Sequence, residues 1–296
     1  MLRRLELAIT RRLDGLLQGE YRGLLPGHGS EPGETRGYQA GDDVRRIDWN
    51  VTARLDLPHV RETVADRELE TWALVDLSPS LDFGTATCTK RDLALVALAS
   101  VGFLTARTGN RFGVILSDGH DFEVLPARSG RGHLMATLHR VANRPPSPQG
   151  RGATTGLGPA LQRLAQAHRR RGLAVVISDF VGPRDWREHA ARLAVRHDVI
   201  AVEVLDPREL ELPDVGVLAI VDPESGRRRE VATSSPKLRA RYAEASARQR
   251  EETAAELRGA GVDHLVLRTD EDWFGALLRF VELRRKRAAR LPRARR

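Results

Sequence analysis

Asp76, Ser78 and Ser80 form an Asp-x-Ser-x-Ser pattern directly after the apolar run 72–76, WALVD. In an extended loop, positions i, i+2 and i+4 point to one side, so one carboxylate and two hydroxyls would face a common point. These are hard oxygen donors, suited to Mg²⁺, which prefers octahedral oxygen and keeps several waters. Two further donors stand later in the chain. The loop GATTGLGPAL, before a helical pattern at 157–170, offers Thr154 and Thr155, and the apolar run 173–178 ends in Asp179. If the two runs are parallel strands, all of these residues meet at the carboxyl edge of one sheet, where open α/β sheets bind ligands. The competing reading is structural, because an Asp after a strand also caps turn amides.

Other chemistries find less support. A metal-dependent phosphohydrolase of the haloacid-dehalogenase type also starts from an Asp after its first strand. It needs a second Asp two residues on as acid and base, and that position is Ser78. No lysine matches the phosphate clamp of those enzymes either; the chain has only Lys90, Lys237 and Lys286. The stretch GHGSEPG at 27–33 lacks the Lys-Ser/Thr ending and the preceding strand of a phosphate loop. The nine histidines include no His-Glu-x-x-His, there is no Gly-x-Ser-x-Gly elbow, and Cys88 is the single cysteine. An intrachain disulfide and a Cys-based zinc site are thereby excluded.

The elements that must position these donors alternate along the chain. Strand-like runs occupy 72–76, 112–117, 122–126, 173–178, 199–205 and 262–267, and helical patterns occupy 90–106, 131–142, 157–170, 184–196, 236–259 and 271–285. This alternation predicts an α/β fold, a mostly parallel sheet with helices on both faces, over residues 69–283. Asp-Gly inside 111–126 signals a hairpin, and 215–232 reads as a second one. Residues 1–68 read as an N-terminal helix followed by irregular and extended chain, packed against the larger domain. Their Gly41-Asp42-Asp43 to Asp48-Trp49 block reads best as a structural clasp, with Asp42 or Asp43 pairing Arg45 or Arg46 and Trp49 packing on the sheet.

Hydrophobic residues make up 41% of the 296 residues and charged ones 30%, the balance of a globular protein. No apolar run approaches the ~18 residues of a membrane span, and charges interrupt the N-terminus, so a cytoplasmic location is expected. The net charge of +8 is local. Residues 284–296, RRKRAARLPRARR, carry eight basic side chains, and without them 40 basic residues face 40 acidic ones. The run is expected to project as a solvated basic tail able to touch anionic lipid, nucleic acid or an acidic protein.

The combination of DLSPS, GATTGLGPAL and VVISDF resembles the metal-ion-dependent adhesion site of von Willebrand factor A domains. The resemblance implies that Asp76, Ser78, Ser80, Thr155 and Asp179 hold Mg²⁺, with Thr154 as the alternate threonine and Asp179 acting through water. Ala153-Thr154-Thr155 departs here from the Gly-Gly-Thr of that pattern. A narrower resemblance covers nearly the whole chain. RGYQAGDDVRRIDWNVTAR at 36–54, the following HVRE and the Asp-x-Ser-x-Ser are similar to the bacterial domain-of-unknown-function-58 family, often encoded beside MoxR-type AAA+ ATPases. It implies a von Willebrand factor A-like fold and a non-enzymatic, Mg²⁺-dependent interaction module. A protein partner, a MoxR-type ATPase or its client, would offer a carboxylate to the metal.

Overall fold

A computed structural model describes residues 35–39, 44, 47–61, 70–107, 109–147 and 156–290. The chain divides into two compact units, residues 27–68 and the remainder. In the smaller unit, strand β1 (Thr35–Gly37) pairs antiparallel with β2 (His59–Arg61). Helix α1 (Trp49–Leu55) lies between them in sequence. Asp48 caps this helix, its Oδ1 accepting from the amides of Asn50 at 3.1 Å and Val51 at 3.3 Å. Ile47 bridges to Val60, and the His59 amide donates to Thr52 Oγ1 at 3.0 Å. Asp48 therefore has a local structural role. Trp49 is the first residue of this helix and is 71% exposed. Asp42, Asp43, Arg45 and Arg46 lie outside the described residues, as do the helical pattern at 2–17 and the threonines 154 and 155.

The larger unit contains β3 (Glu70–Asp76), β4 (Arg111–Ser117), β5 (Phe122–Arg128), β6 (Gly172–Ser178), β7 (Asp198–Leu205), β8 (Val217–Val221), β9 (Arg228–Ala232) and β10 (Asp263–Arg268). Six of them form one sheet in the order β10-β7-β6-β3-β4-β5. All neighbours are parallel except β5, which runs antiparallel at the edge. Strands covered on both faces need apolar residues at every position, and β3 and β6 are buried throughout. Ala73 and Val75 face one core; Trp72 and Leu74 face the other.

Helices α2 (Lys90–Arg107), α3 (Arg131–Ala142) and α7 (Trp273–Arg290) build the first core through residues such as Leu98, Leu138 and Leu277. Helices α4 (Leu157–Ala167), α5 (Trp186–Arg196) and α6 (Pro236–Gly259) build the second through Leu161, Leu193 and Leu257. Both expected hairpins form, β4–β5 around Asp118-Gly119 and β8–β9 as a separate two-stranded arm. Among the described residues, no helix is long and apolar enough to cross a membrane.

Two of the boundaries that differ from the sequence expectation have a visible side-chain cause. Helix α4 stops at Ala167, because the next residue, His168, turns inward and its Nε2 donates to the Glu70 carbonyl at 3.1 Å. Helix α7 runs on to Arg290, through most of the stretch expected to project. Arg284 is docked: its Nη2 lies 2.6 Å from Asp198 Oδ1 and its Nε 2.6 Å from Asp263 Oδ2. Two carboxylates at the starts of β7 and β10 thus hold the first residue of the basic run. Residues 291–296 lie outside the described residues.

Candidate functional site

Strand β3 has β4 on one side and β6 on the other. The chain therefore leaves β3 in one direction and returns on the opposite side, which opens a crevice at the carboxyl ends of β3 and β6. Asp76 ends β3 and Asp179 follows β6, so both carboxylates reach this crevice. Asp76 is 7% exposed and Asp179 is 3% exposed.

The loop after β3 folds tightly around Asp76. Its Oδ1 accepts from the Ser78 amide at 2.9 Å, and its Oδ2 accepts from Ser178 Oγ at 2.6 Å. Pro79 opens a short 3₁₀ turn (Pro79–Asp82), and the hydroxyls of Ser78 and Ser80 meet at 3.1 Å. On the neighbouring strand, Ser178 Oγ also accepts from the Phe180 amide at 3.1 Å. Phe180 has φ 54°, a left-handed conformation unfavourable for a bulky residue. Its ring is buried, packed edge-on against Trp186, and this burial retains the strained turn that presents Asp179.

The structure thus brings Asp76, Ser78, Ser80 and Asp179 to one sheet edge. It adds residues that the sequence reading missed. Lys90, fully buried at the start of α2, donates to Asp179 Oδ2 at 2.8 Å and to Glu209 Oε1 at 2.5 Å. Burial works against its charge, but Asp179 and then Glu209 outweigh that and raise its pKa. Glu224, at the turn of the β8–β9 arm, accepts from the Ser80 amide at 3.2 Å through Oε1. Its Oε2 is sealed from solvent and has no hydrogen-bond partner among the described residues. Ser178 was legible as the residue before Asp179, whereas Glu224 carries only the weak signal of an acid in a turn.

Negative charge accumulates here. Burial, then the charge of Asp179, raises the Asp76 carboxyl to about 6. Burial, then the charges of Asp76, Asp179 and Asp222, raises Glu224 to about 7. Among the described residues, Lys90 is the one cation bonded to any of Asp76, Asp179, Glu209 and Glu224. A dication suits this set by charge, by hard oxygen donors and by the orphaned Glu224 oxygen. The carboxylates alone are not a finished cage: no three His, Cys, Asp or Glu side chains among the described residues are grouped to hold an ion. The hydroxyls of Ser78 and Ser80 would have to contribute.

Along the same edge, Asp206 ends β7 as a structural clamp. It accepts from the Thr85 amide at 2.7 Å, Thr85 Oγ1 at 2.6 Å and Thr269 Oγ1 at 2.8 Å. Burial opposes its charge, but these bonds prevail and lower its pKa. In the run after the threonines, Gly156 and Gly158 leave room for the Asp185 carboxylate, which a side-chain carbon at either position would meet.

Comparison with known proteins places this arrangement. Residues 34–252 match the family model described as protein of unknown function DUF58. The chain is 51% identical over 287 residues to the uncharacterized protein Rv1480 of Mycobacterium tuberculosis, covering 97% of this chain and 90% of that one. The uncharacterized protein Mb1516 of Mycobacterium bovis matches with the same figures. Among solved structures, an aerotolerance-related membrane protein from Bacteroides fragilis aligns with a TM-score of 0.50 at 14% identity, over 74% of this chain and 99% of that one. The fold is α/β and von Willebrand factor A-like, with a mostly parallel central sheet and helices on both faces.

Proposed function

The chain belongs to the DUF58 family of proteins of unknown function, and we propose that it works as a divalent-cation-dependent protein-interaction module rather than an enzyme. The observation that carries this reading is the convergence of Asp76, Ser78, Ser80 and Asp179 at the crevice between β3 and β6, with more carboxylates than bonded cations among the described residues. Asp76, Ser78 and Ser80 would hold Mg²⁺, joined by Thr155 or Thr154 and, through water, by Asp179. The bound cation supplies electrophilic positions that a partner's carboxylate completes. The partner suggested by the family resemblance is a MoxR-type AAA+ ATPase or its client.

The hydrolase reading gains nothing from Lys90. That ammonium is fully buried and bonded to two carboxylates, and Ser78 cannot supply the proton of a carboxylic acid. Thermal unfolding with and without Mg²⁺ tests the proposal. The cation should raise the midpoint of the wild-type protein, and Asp76→Ala should abolish that rise. An unchanged rise in the variant would locate the ion elsewhere.

A further inference from the structure

The β8–β9 arm is a two-stranded hairpin whose strands are largely exposed; Val217 is 68% and Val221 49% exposed. Such a hairpin is marginally stable by itself. Its turn is internally braced. The Glu224 amide donates to Asp222 Oδ1 at 3.1 Å, the Gly226 amide to the Asp222 carbonyl at 2.8 Å, and the Asp222 amide to the Arg227 carbonyl at 2.9 Å. The braced turn delivers Glu224 across 144 residues of sequence to the amide of Ser80. One carboxylate oxygen makes that bond, and the other is sealed from water with no hydrogen-bond partner among the described residues. Hydrogen bonding to Ser80 explains the first oxygen and leaves the second, buried beside Asp76 and Asp179, without a purpose. A buried, unpartnered carboxylate oxygen is unfavourable unless a proton or a cation meets it.

We propose that Glu224 is the resident carboxylate of this site: the β8–β9 arm presents it to the divalent cation held by Asp76, Ser78 and Ser80, and an incoming partner carboxylate must displace it. This inference rests on the cation-dependent reading above and adds its regulation. The module is closed in the absence of a partner by its own side chain, and the arm is the part that opens. Ligation by Glu224 would fasten the tip of the arm, already bonded to the Ser80 amide, to the cation.

The arm reports on this directly, because Arg227, Arg228 and Arg229 are exposed beside the turn and present trypsin sites. Mg²⁺ affinity is measured by calorimetric titration of the full chain, and cleavage at these arginines by mass spectrometry of limited digests. In the wild-type protein Mg²⁺ should slow cleavage of the arm. In Glu224→Gln the affinity should fall about tenfold or more, since one charged ligand is lost, and Mg²⁺ should no longer slow cleavage. Equal affinity in Glu224→Gln, or cleavage indifferent to Mg²⁺ in the wild type, overturns the inference while the Asp76-dependent site stands. If the wild-type protein binds no Mg²⁺ at all, both readings fall. Glu224→Asp, which keeps the charge at a shorter reach, should lie between the two in affinity, and an affinity equal to that of Glu224→Gln would also count against ligation.

Discussion

Lys90 holds a full positive charge at a place water does not reach. Its ammonium spans Asp179 and Glu209 at 2.8 and 2.5 Å. Substituting Lys90 by Met keeps the volume and removes the charge, leaving Asp179 buried without its partner. Breaking a buried pair in this way costs about 3–5 kcal/mol, and urea denaturation should show a loss of that order. The double variant Lys90→Met, Asp179→Asn should recover part of it, because the buried Asp179 charge goes with its partner and only Glu209, whose side chain is 26% exposed, is left unpaired. A loss below about 1 kcal/mol in the single variant, the range of exposed pairs, would mean that the site is wetter than its burial indicates. In a chain with only three lysines among 48 basic residues, a compact ammonium in the first turn after the Asp-x-Ser-x-Ser loop was itself a signal. A point charge fits between two carboxylates where a planar guanidinium needs more room.

At the scale of elements, helices α4 and α5 are each followed by a histidine at the amino edge of the sheet. His168 and His197 stack with ring centroids 4.0 Å apart. Burial, then the charge of His197, lowers the His168 pKa from 6.5 to about 3. The folded state therefore refuses a proton that the unfolded chain accepts below 6.5. Stability contributed by the neutral ring is complete above pH 6.5 and falls as the pH drops toward 3, by about 1.4 kcal/mol per unit. Asp76 and Glu224, whose carboxyls are raised, act in the opposite direction as the pH falls. Comparing wild type with His168→Asn by urea denaturation from pH 7 to 5 isolates the histidine. The variant should lose less stability on acidification, and parallel profiles would refute the assignment. These elements were largely legible in the sequence. Continuous apolar runs such as LAVVIS, short and rich in β-branched residues, read as strands covered on both faces, and the Asp closing two of them marks the carboxyl edge. Contacts between distant segments were not legible. Glu224 reaches Ser80 only because a hairpin folds back over the edge, and the end of α7 depends on acids at the starts of two remote strands.

For the whole molecule, charge bookkeeping by segment suggested a neutral body and a detachable basic tail, and the docking of Arg284 moves that division. Its side chain is 11% exposed and bridges Asp198 and Asp263, so this cation belongs to the body's ion pairs. Arg287 adds a longer contact to Asp263 at 3.5 Å. Helix α7 is thus fastened at both ends of its packed face, by Leu277 in the core and by Arg284 at the strand starts. A chain truncated after Arg290 keeps both fastenings and should unfold at the same urea concentration as the full protein. A chain truncated after Leu283 loses the ionic one, and charged hydrogen bonds of this kind contribute about 1.5–3 kcal/mol; Arg284→Ala should reproduce that loss. Residues beyond Arg290 add three further arginines in sequence, Arg293, Arg295 and Arg296. Any association with anionic vesicles should weaken in both truncations and fade with salt, since exposed charges are screened over about 8 Å at physiological ionic strength. The two effects are separable because stability depends on Arg284 and attraction on the residues that follow. If the Leu283 truncation proves as stable as the full chain, the Arg284 bridge is dispensable and the whole basic run is a tail after all.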